Sequence, residues 1–122
     1  MGVGVDVVDV ARMGRILDRH PRFAPRHFSA EEAAYCDGRG SQRPAAYAAR
    51  WAAKEAFAKA LGGIPHGRWR EVAVVRATDG ALSLAIEGRA KVRMDALGAT
   101  EVHVSVAHER DVAVATCVAV GP

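Results

Sequence analysis

The sequence predicts a single α+β domain in which an antiparallel sheet packs against a long central helix. Its 122 residues are enough for one hydrophobic core and too few for two ordinary ones. Half of the residues are hydrophobic and a quarter are charged, which is the composition of a globular protein. Segments with helical spacing and segments with strict alternation both occur, so the class is mixed.

The first elements are a strand and a helix. Residues 2–8 are rich in valine and predict a buried strand. A helix over 9–20 follows, with Asp9 as its N-cap and Pro21 at its end.

Two further helices are predicted in the middle of the chain. Ser29 and Glu32 have the spacing of a capping box and begin a short helix that reaches about residue 36. After a loop over 37–44, the alanine-rich residues 45–61 predict the longest helix, which ends at Gly62-Gly63.

The C-terminal half is predicted to be mostly β-structure. Strands over 71–77 and 81–86 flank Asp79-Gly80, a strong hairpin signal. A helix over 87–97 precedes a strand over 101–107, in which Val102, Val104 and Val106 alternate with polar residues. After a turn over 108–111, residues 112–120 predict the last strand.

Charge and composition narrow the range of partners and compartments. The formal net charge is +3, and arginine outnumbers lysine by 14 to three, which favours anionic partners of any kind. The two cysteines lack metal-ligand spacing and are predicted to be reduced structural thiols. With no predicted signal peptide and no apolar run long enough to span a bilayer, the expected location is cytoplasmic and no membrane partner is expected.

Asp6 is the first candidate for a functional site. A carboxylate inside a valine run costs several kcal/mol unless it is paired or coordinates a cation. Pairing with an arginine or a backbone amide and ligation of a metal ion are both open.

Glu55 and Lys59 are spaced by four on the predicted long helix, so they lie on one face. The simplest interpretation is an exposed ion pair. The other is that the carboxylate holds Mg2+ and the ammonium holds a phosphate, because Mg2+ commonly takes one or two protein carboxylates together with substrate oxygens. Asp6 and Glu55 would suffice as protein ligands.

The predicted strand over 101–107 and the turn after it carry a group of polar side chains. His103 and Ser105 share the face opposite the valines, and His108 and Glu109 follow at the turn. Such a group can bind a phosphate or move a proton, although a single histidine in a strand is more often structural.

An arginine-rich segment covers the first helix and the residues after it. It is either an ordinary solvated surface or a docking surface for an acidic partner. Its members are Arg12, Arg15, Arg19, Arg22 and Arg26.

Three blocks of the sequence form a recognisable set: Gly-Val-Gly-Val-Asp-Val-Val-Asp at 2–9 followed by Arg12, Arg-Trp-Ala-Ala-Lys-Glu-Ala-Phe-Ala-Lys-Ala-Leu-Gly at 50–62, and His-Val-Ser-Val-Ala-His at 103–108. Together they resemble the holo-acyl carrier protein synthases, a family of phosphopantetheinyl transferases. The resemblance implies a Mg2+-dependent transfer of 4'-phosphopantetheine from coenzyme A to a serine of apo-acyl carrier protein, which releases adenosine 3',5'-bisphosphate. It also implies a homotrimer with active sites between protomers.

The resemblance also assigns roles by position. Asp6 and Glu55 resemble the metal ligands, and the arginines of the first helix would receive the acidic carrier protein. Arg50, Lys54 and Lys59 resemble the basic residues around the coenzyme A phosphates, with His103 and Ser105 near the nucleotide.

Two questions stay open at this point. The general base is either Glu55 acting through a metal-bound water or His108 supported by Glu109. Ala107 stands where the family often has a hydroxyl residue, so any role of that hydroxyl is missing.

The alternative function is a non-catalytic basic module that binds an acidic protein or nucleic acid, for which Asp6 and Glu55 would be unnecessary. As a transferase, the protein is expected to have no nucleic-acid partner. A degenerate transferase domain is a further alternative, and the intact Asp6, Glu55 and Lys59 argue against it.

Overall fold

The computed structural model describes residues 1–64 and 67–122. In these ranges the chain forms five strands and five α-helices, and single turns of 3-10 helix occupy Gly40–Gln42 and Trp69–Glu71. In chain order the elements are β1 (Gly2–Asp9), α1 (Val10–Arg19), α2 (Phe23–His27), α3 (Ala30–Asp37), α4 (Arg43–Ala60), β2 (Val72–Arg76), β3 (Leu82–Ile86), α5 (Gly88–Ala96), β4 (Glu101–Glu109) and β5 (Val112–Val120). The predicted α+β class is confirmed.

The strands form two antiparallel sheets instead of the one that the sequence predicted. The larger sheet has the order β1-β5-β4, so the last strand lies between the first and the fourth. The strands β2 and β3 form a separate hairpin. Its turn agrees with the Asp-Gly signal: the Asp79 carboxylate accepts a hydrogen bond from the Ala81 amide, and Gly80 has φ +89°.

The helix α4 lies against the inner face of the larger sheet. Its small side chains allow a close approach, and the main hydrophobic core joins its alanines to the inward residues of β5. A Cβ on Gly4 would lie 2.0 Å from the carbonyl oxygen of Ala56, and one on Gly2 would lie 1.9 Å from that of Ala60. Glycine is therefore required on this face of β1, because the backbones of strand and helix are in contact.

The strand β1 is buried on one face only, and the prediction of a fully buried strand was wrong. The inward residues Gly4 and Asp6 are buried, whereas Val3, Val5 and Val7 are 69%, 55% and 60% exposed. The glycines and the aspartate occupy the inward positions because α4 leaves no room there for valine.

The predicted helix caps are confirmed. The Asp9 carboxylate accepts a hydrogen bond from the Arg12 amide at 2.9 Å, and Ser29 and Glu32 form a reciprocal capping box. The helix α2 was not predicted, because its five residues are too few for a periodic pattern. None of the described helices has both the length and the apolar character of a membrane span.

Candidate active site

Asp6 and Glu55 meet where β1 lies against α4. Asp6 is the inward residue two positions after Gly4, and its side chain lies beside the face of α4 that carries Glu55 and Lys59. The Lys59 ammonium is 2.8 Å from the Asp6 carboxylate and donates a second hydrogen bond to the Val5 carbonyl at 3.1 Å. The simple Glu55 to Lys59 ion pair that the sequence allowed is replaced by an Asp6 to Lys59 pair.

The electrostatics of the site are those of two acids sharing one cation. The pKa of Glu55 is raised to about 7, mainly because the carboxyl is partly buried and also because it is hydrogen-bonded to Asp6 and repelled by its charge. The positive charges of Lys59 and Arg12 lower this pKa by a smaller amount. The hydrogen bond and charge of Asp6 raise the pKa of Lys59. One oxygen of Asp6, Oδ2, is buried without a hydrogen-bond partner among the described residues.

This arrangement fits a divalent cation. An unpartnered buried carboxylate oxygen and a neighbouring carboxyl that is reluctant to ionise both indicate missing positive charge. No group of three or more His, Cys, Asp or Glu that could hold a metal occurs within 1–64 and 67–122. A two-carboxylate site is the kind that suits Mg2+, which completes its shell with water and substrate oxygens.

His103 and Ser105 lie on the other side of the sheet from the Asp6 and Glu55 pair. In β4 the valines face inward and these two side chains face outward, as predicted. The strand register places His103 beside Val118 and Ser105 beside Thr116, on the same outer face as Val3 and Val5. Within one chain they do not reach the carboxylate pair.

His108 and Glu109 lie at the exposed end of β4. Across β5, His108 is in register with Val8. Because neighbouring strands are about 4.8 Å apart, two strand spacings, roughly 10 Å, separate the backbones of β4 and β1. His108 is therefore remote from Asp6 within the protomer.

Lys54 faces a different part of the molecule from Lys59. Its ammonium is fully buried, pairs with Glu32 at 2.7 Å and donates to the Trp69 carbonyl at 2.9 Å. The same Glu32 accepts from the amides of Ser29 and Val74. All these donors and acceptors are protein groups, so the predicted contact of Lys54 with coenzyme A phosphates finds no support in the structure.

Arg50 also lies on the side of α4 that faces α3 and β2. Its guanidinium stacks over the ring of Tyr35, with 4.1 Å between the guanidinium carbon and the ring centre. The residue is only 6% exposed. It lines a cavity with Arg76 instead of facing Lys59.

The five arginines of the N-terminal segment are exposed, whereas Met13 and Leu17 of α1 are buried. Arg12 is close enough to influence Glu55 electrostatically, so the arginine surface begins beside the carboxylate pair. At its other end, Arg26 lines a groove together with Arg68 and Arg70. These last two arginines were not predicted, and their position depends on the packing of the segment after α4 against α2.

An aromatic cluster beside this groove was also missed. Trp51 makes edge contacts with Phe23 and His27 at ring-centre distances of 5.3 and 5.1 Å, and it packs on Trp69 at 4.7 Å. The sequence did not indicate this cluster, because its other rings come from α2 and from the segment after α4, both distant from Trp51 along the chain.

Comparisons with known proteins identify the family of the chain. The sequence model of the 4'-phosphopantetheinyl transferase superfamily matches residues 2–117. The chain belongs to this superfamily. A holo-[acyl-carrier-protein] synthase of Anaeromyxobacter sp. (strain K) is 47% identical over 126 residues, which cover 99% of this chain and 96% of that protein.

Solved structures of the transferase superfamily have the same fold. The Chronobacterium ammoniagenes ACPS–CoA complex matches with a TM-score of 0.87 and 28% identity, over 99% of this chain and 97% of that one. The holo-[acyl-carrier-protein] synthase from Neisseria meningitidis matches with a TM-score of 0.86 and 30% identity, over 97% and 96%.

The resemblance drawn from the three sequence blocks is thereby confirmed. The chain is a phosphopantetheinyl transferase of the holo-acyl carrier protein synthase type. The alternative of a non-catalytic basic module is not supported.

Proposed function

We propose that this protein transfers 4'-phosphopantetheine from coenzyme A to a serine of an apo-acyl carrier protein in a Mg2+-dependent reaction. One observation carries the metal assignment. Two acidic side chains from distant stretches, Asp6 and Glu55, meet beside Lys59, and one Asp6 oxygen has no hydrogen-bond partner within residues 1–64 and 67–122. These two carboxylates would hold the ion.

The proposed reaction requires that negative charge on phosphate oxygens be neutralised. When the serine hydroxyl attacks the pyrophosphate of coenzyme A, negative charge builds on the phosphoryl oxygens and on the departing adenosine 3',5'-bisphosphate. A bound Mg2+ supplies a Lewis acid for those oxygens. The half-exposed Lys59 ammonium, anchored by Asp6 and the Val5 carbonyl, can donate its remaining hydrogen to a phosphate oxygen.

Glu55 is the better placed of the two predicted bases. It lies at the carboxylate pair, whereas His108, and with it Glu109, lies two strands away. We therefore assign proton removal from the serine to Glu55. Substitution of His108 by alanine should leave kcat within about threefold of the wild-type value, because general acid-base groups contribute at least about 100-fold.

The carrier protein is proposed to dock on the arginine surface of the N-terminal segment. These side chains are exposed, and the surface begins beside the carboxylate pair, so a partner held there would bring its serine close to the site. Complementary charge speeds the encounter and fixes the orientation. The residues are Arg12, Arg15, Arg19, Arg22 and Arg26.

We further propose a homotrimer in which the outer face of one protomer's sheet completes the site of the next. Val3, Val5, Val7 and Val118 form an exposed apolar stripe on that face, which is typical of an interaction surface. His103 and Ser105 share this face, so they can serve coenzyme A only at the site of a neighbour. The number three comes from the family resemblance.

The cytoplasm is the proposed compartment. Both cysteines are free and buried, which is compatible with a reducing environment.

The direct test is a mass measurement. The protein is mixed with apo-carrier protein, coenzyme A and Mg2+, and one added phosphopantetheine is sought on the carrier. Asp6→Asn and Glu55→Gln should each lower the rate at least about 100-fold and weaken Mg2+ binding in calorimetry, because each removes a ligand. Asp95→Asn, at an exposed carboxylate of α5, is the matched control. Full activity of both site variants would refute the metal assignment.

A further inference from the structure

The helix α2 lies between two basic grooves. It contacts α1 on one side and the single 3-10 turn before β2 on the other. The groove on the α1 side, here called the α1 groove, measures about 550 Å3, and its arginines are Arg19, Arg22 and Arg26. The groove on the other side, here called the Arg70 groove, also measures about 550 Å3, and its arginines are Arg26, Arg68 and Arg70. Arg26 therefore connects the two grooves across α2.

The Arg70 groove carries excess positive charge. Its two acids are Glu71 and Glu87. Glu71 is half-buried and accepts a hydrogen bond from the Arg89 amide at 3.1 Å, so the positive end of α5 offsets its charge. Arg68 and Arg70 are exposed, and neither forms an ion pair within the part of the chain that the structure describes. The arginines of the groove therefore outnumber its one exposed acid, Glu87.

The Arg70 groove lies near the candidate active site. Trp69, which also lines the groove, packs on Trp51 with 4.7 Å between the ring centres. Trp51 is one turn before Glu55 on the same face of α4, and four residues of helix span about 6 Å. A protein that fills the groove is therefore close enough to present a side chain to the carboxylate pair.

We propose that the Arg70 groove binds a second acidic segment of the apo-acyl carrier protein. This inference rests on the proposed function and adds two residues, Arg68 and Arg70, that the family resemblance did not assign. The groove continues the proposed docking surface through Arg26, and its charge is complementary to an acidic protein. A helix with its side chains is about 10 Å across, so a segment lying in the α1 groove cannot also fill the groove on the other side of α2.

Binding is tested first without any catalysis. The organism's own apo-acyl carrier protein is titrated into the full chain by calorimetry, with EDTA present and without coenzyme A. Arg68→Ala and Arg70→Ala should each weaken binding about two- to fivefold, because an exposed ion pair contributes little by itself. The double variant Arg68→Glu/Arg70→Glu should weaken binding at least about 30-fold, because repulsion replaces attraction.

The matched control is Arg89→Glu, at an exposed arginine of α5 outside the groove. It makes the same change of charge and should leave carrier affinity within about twofold of the wild-type value. An acidic side chain in the first turn of a helix is favourable, and Arg68 and Arg70 are exposed, so all these variants are expected to fold. Equal carrier affinity of the double variant and the control would overturn the proposal.

A charge swap tests whether the carrier contributes two segments. Single acidic residues of the carrier are changed to lysine, and each carrier variant is combined with Arg70→Glu and with Arg22→Glu, which lies in the α1 groove. One lysine should recover at least about fivefold of the affinity lost by Arg70→Glu without improving binding to Arg22→Glu. If no lysine rescues Arg70→Glu, or if the same lysine rescues both variants, the second segment does not exist.

Phosphopantetheine transfer separates this inference from the proposed function. In the double variant, kcat/KM for the carrier should fall in step with carrier affinity, while the KM for coenzyme A stays within about twofold. If the wild type and the double variant modify the carrier equally well, the groove proposal fails and the proposed function stands. Light scattering then tests a second copy of the chain as the occupant, and 31P NMR with inorganic phosphate tests a free anion. A wild type that binds the carrier through the groove but transfers nothing would refute the proposed function alone.

Discussion

Lys54 and Lys59 are five residues apart on α4, yet their ammonium groups have opposite environments. Lys59 is half exposed and pairs with Asp6 beside Glu55, whereas Lys54 is fully buried and pairs with Glu32. Burial lowers the pKa of Lys54, and the Asp6 hydrogen bond raises that of Lys59. The ammonium of Lys59 is therefore accessible from solvent, whereas that of Lys54 joins α3, α4 and β2.

The Glu32 to Lys54 pair should be strongly coupled. Glu32→Gln or Lys54→Met alone should lower the free energy of unfolding by about 3–5 kcal/mol, because each leaves an uncompensated buried charge. The double variant should lose less than the sum of the two single losses. Urea denaturation at pH 7 measures all three.

The exposed Lys91 to Asp95 pair is the matched control for this cycle. It has the same 2.7 Å distance, but its side chains are 47% and 58% exposed. Its coupling should be about 0.2–1 kcal/mol. Additive effects at Glu32 and Lys54 would show that their ion pair contributes nothing.

At single residues, the sequence singled out Asp6 and Glu55 by their motifs, and Asp6 also by the cost of a carboxylate inside an apolar run. The structure brings these two side chains together, and their role as metal ligands stays a prediction. The contact between Asp6 and Lys59 was not predictable, because it depends on which face of β1 meets α4. The partner of Lys54 was hidden for a similar reason, since Glu32 is 22 residues away.

At the scale of elements, the approach of β1 to α4 decides the geometry of the site. The inward glycines let the strand backbone lie on the helix backbone, and Asp6 is two residues further along the same face. The separation between Asp6 and Glu55 is therefore set by the absence of a side chain at Gly4.

Gly4→Ala should damage stability and activity together. The new Cβ would lie 2.0 Å from the Ala56 carbonyl oxygen, which is backbone and cannot rotate away. We expect a loss of about 3 kcal/mol in the free energy of unfolding and a weaker Mg2+ affinity, because strand and helix are pushed apart. Denaturation and calorimetry test this.

Gly14→Ala in α1 is the control substitution. Its Cβ would meet only Pro44 side-chain atoms at 3.6 Å, an ordinary contact. It should stabilise the protein by about 0.5–1 kcal/mol, since alanine is the better helix former. Equal stability of the two variants would contradict the close-packing argument.

Elements were predictable from the sequence where the pattern was long or carried a cap. The caps fixed the starts of α1 and α3, and the valine alternation identified β4. The end of β4 was wrong, because the strand continues through His108 and Glu109, which the sequence placed in the turn. The valines of β1 were misassigned, because a valine run looks the same whether its partner is the core or another chain. The helix α2 was missed because its five residues are too few to show the 3.6-residue spacing of apolar side chains.

At the scale of the whole molecule, one chain brings together only some of the side chains that the family resemblance assigns to one active site. The carboxylate pair lies on the inner side of the sheet, and His103 and Ser105 lie on the outer side among exposed valines. Association through the outer face would bury the valines and carry those polar groups to another protomer. The exposed valines and the outward position of His103 and Ser105 therefore both indicate the outer face of the larger sheet as the interface between protomers.

A charge on that surface should prevent association. Val5→Glu places a carboxylate in the middle of the stripe, and burying it unpaired costs several kcal/mol. Light scattering should give three times 12.9 kDa for the wild type and 12.9 kDa for the variant, with activity lost as well. Val92→Glu, at a 67% exposed valine of α5, should remain trimeric. A trimeric Val5→Glu protein would place the interface elsewhere.

Mixing two inactive variants tests whether neighbours share a site. In the proposed trimer each site combines Glu55 of one protomer with His103 of its neighbour. Glu55→Gln removes the first contribution and His103→Ala removes the second, so each homotrimer should be defective at every site. In trimers refolded from an equal mixture, a site is intact when its Glu55 comes from the His103 variant and its His103 comes from the Glu55 variant. For random assortment in a closed ring this holds for about a quarter of the sites, so about a quarter of the wild-type rate should return. If each protomer used its own His103, no site would combine both intact halves, and the mixed trimers would stay as defective as the separate variants.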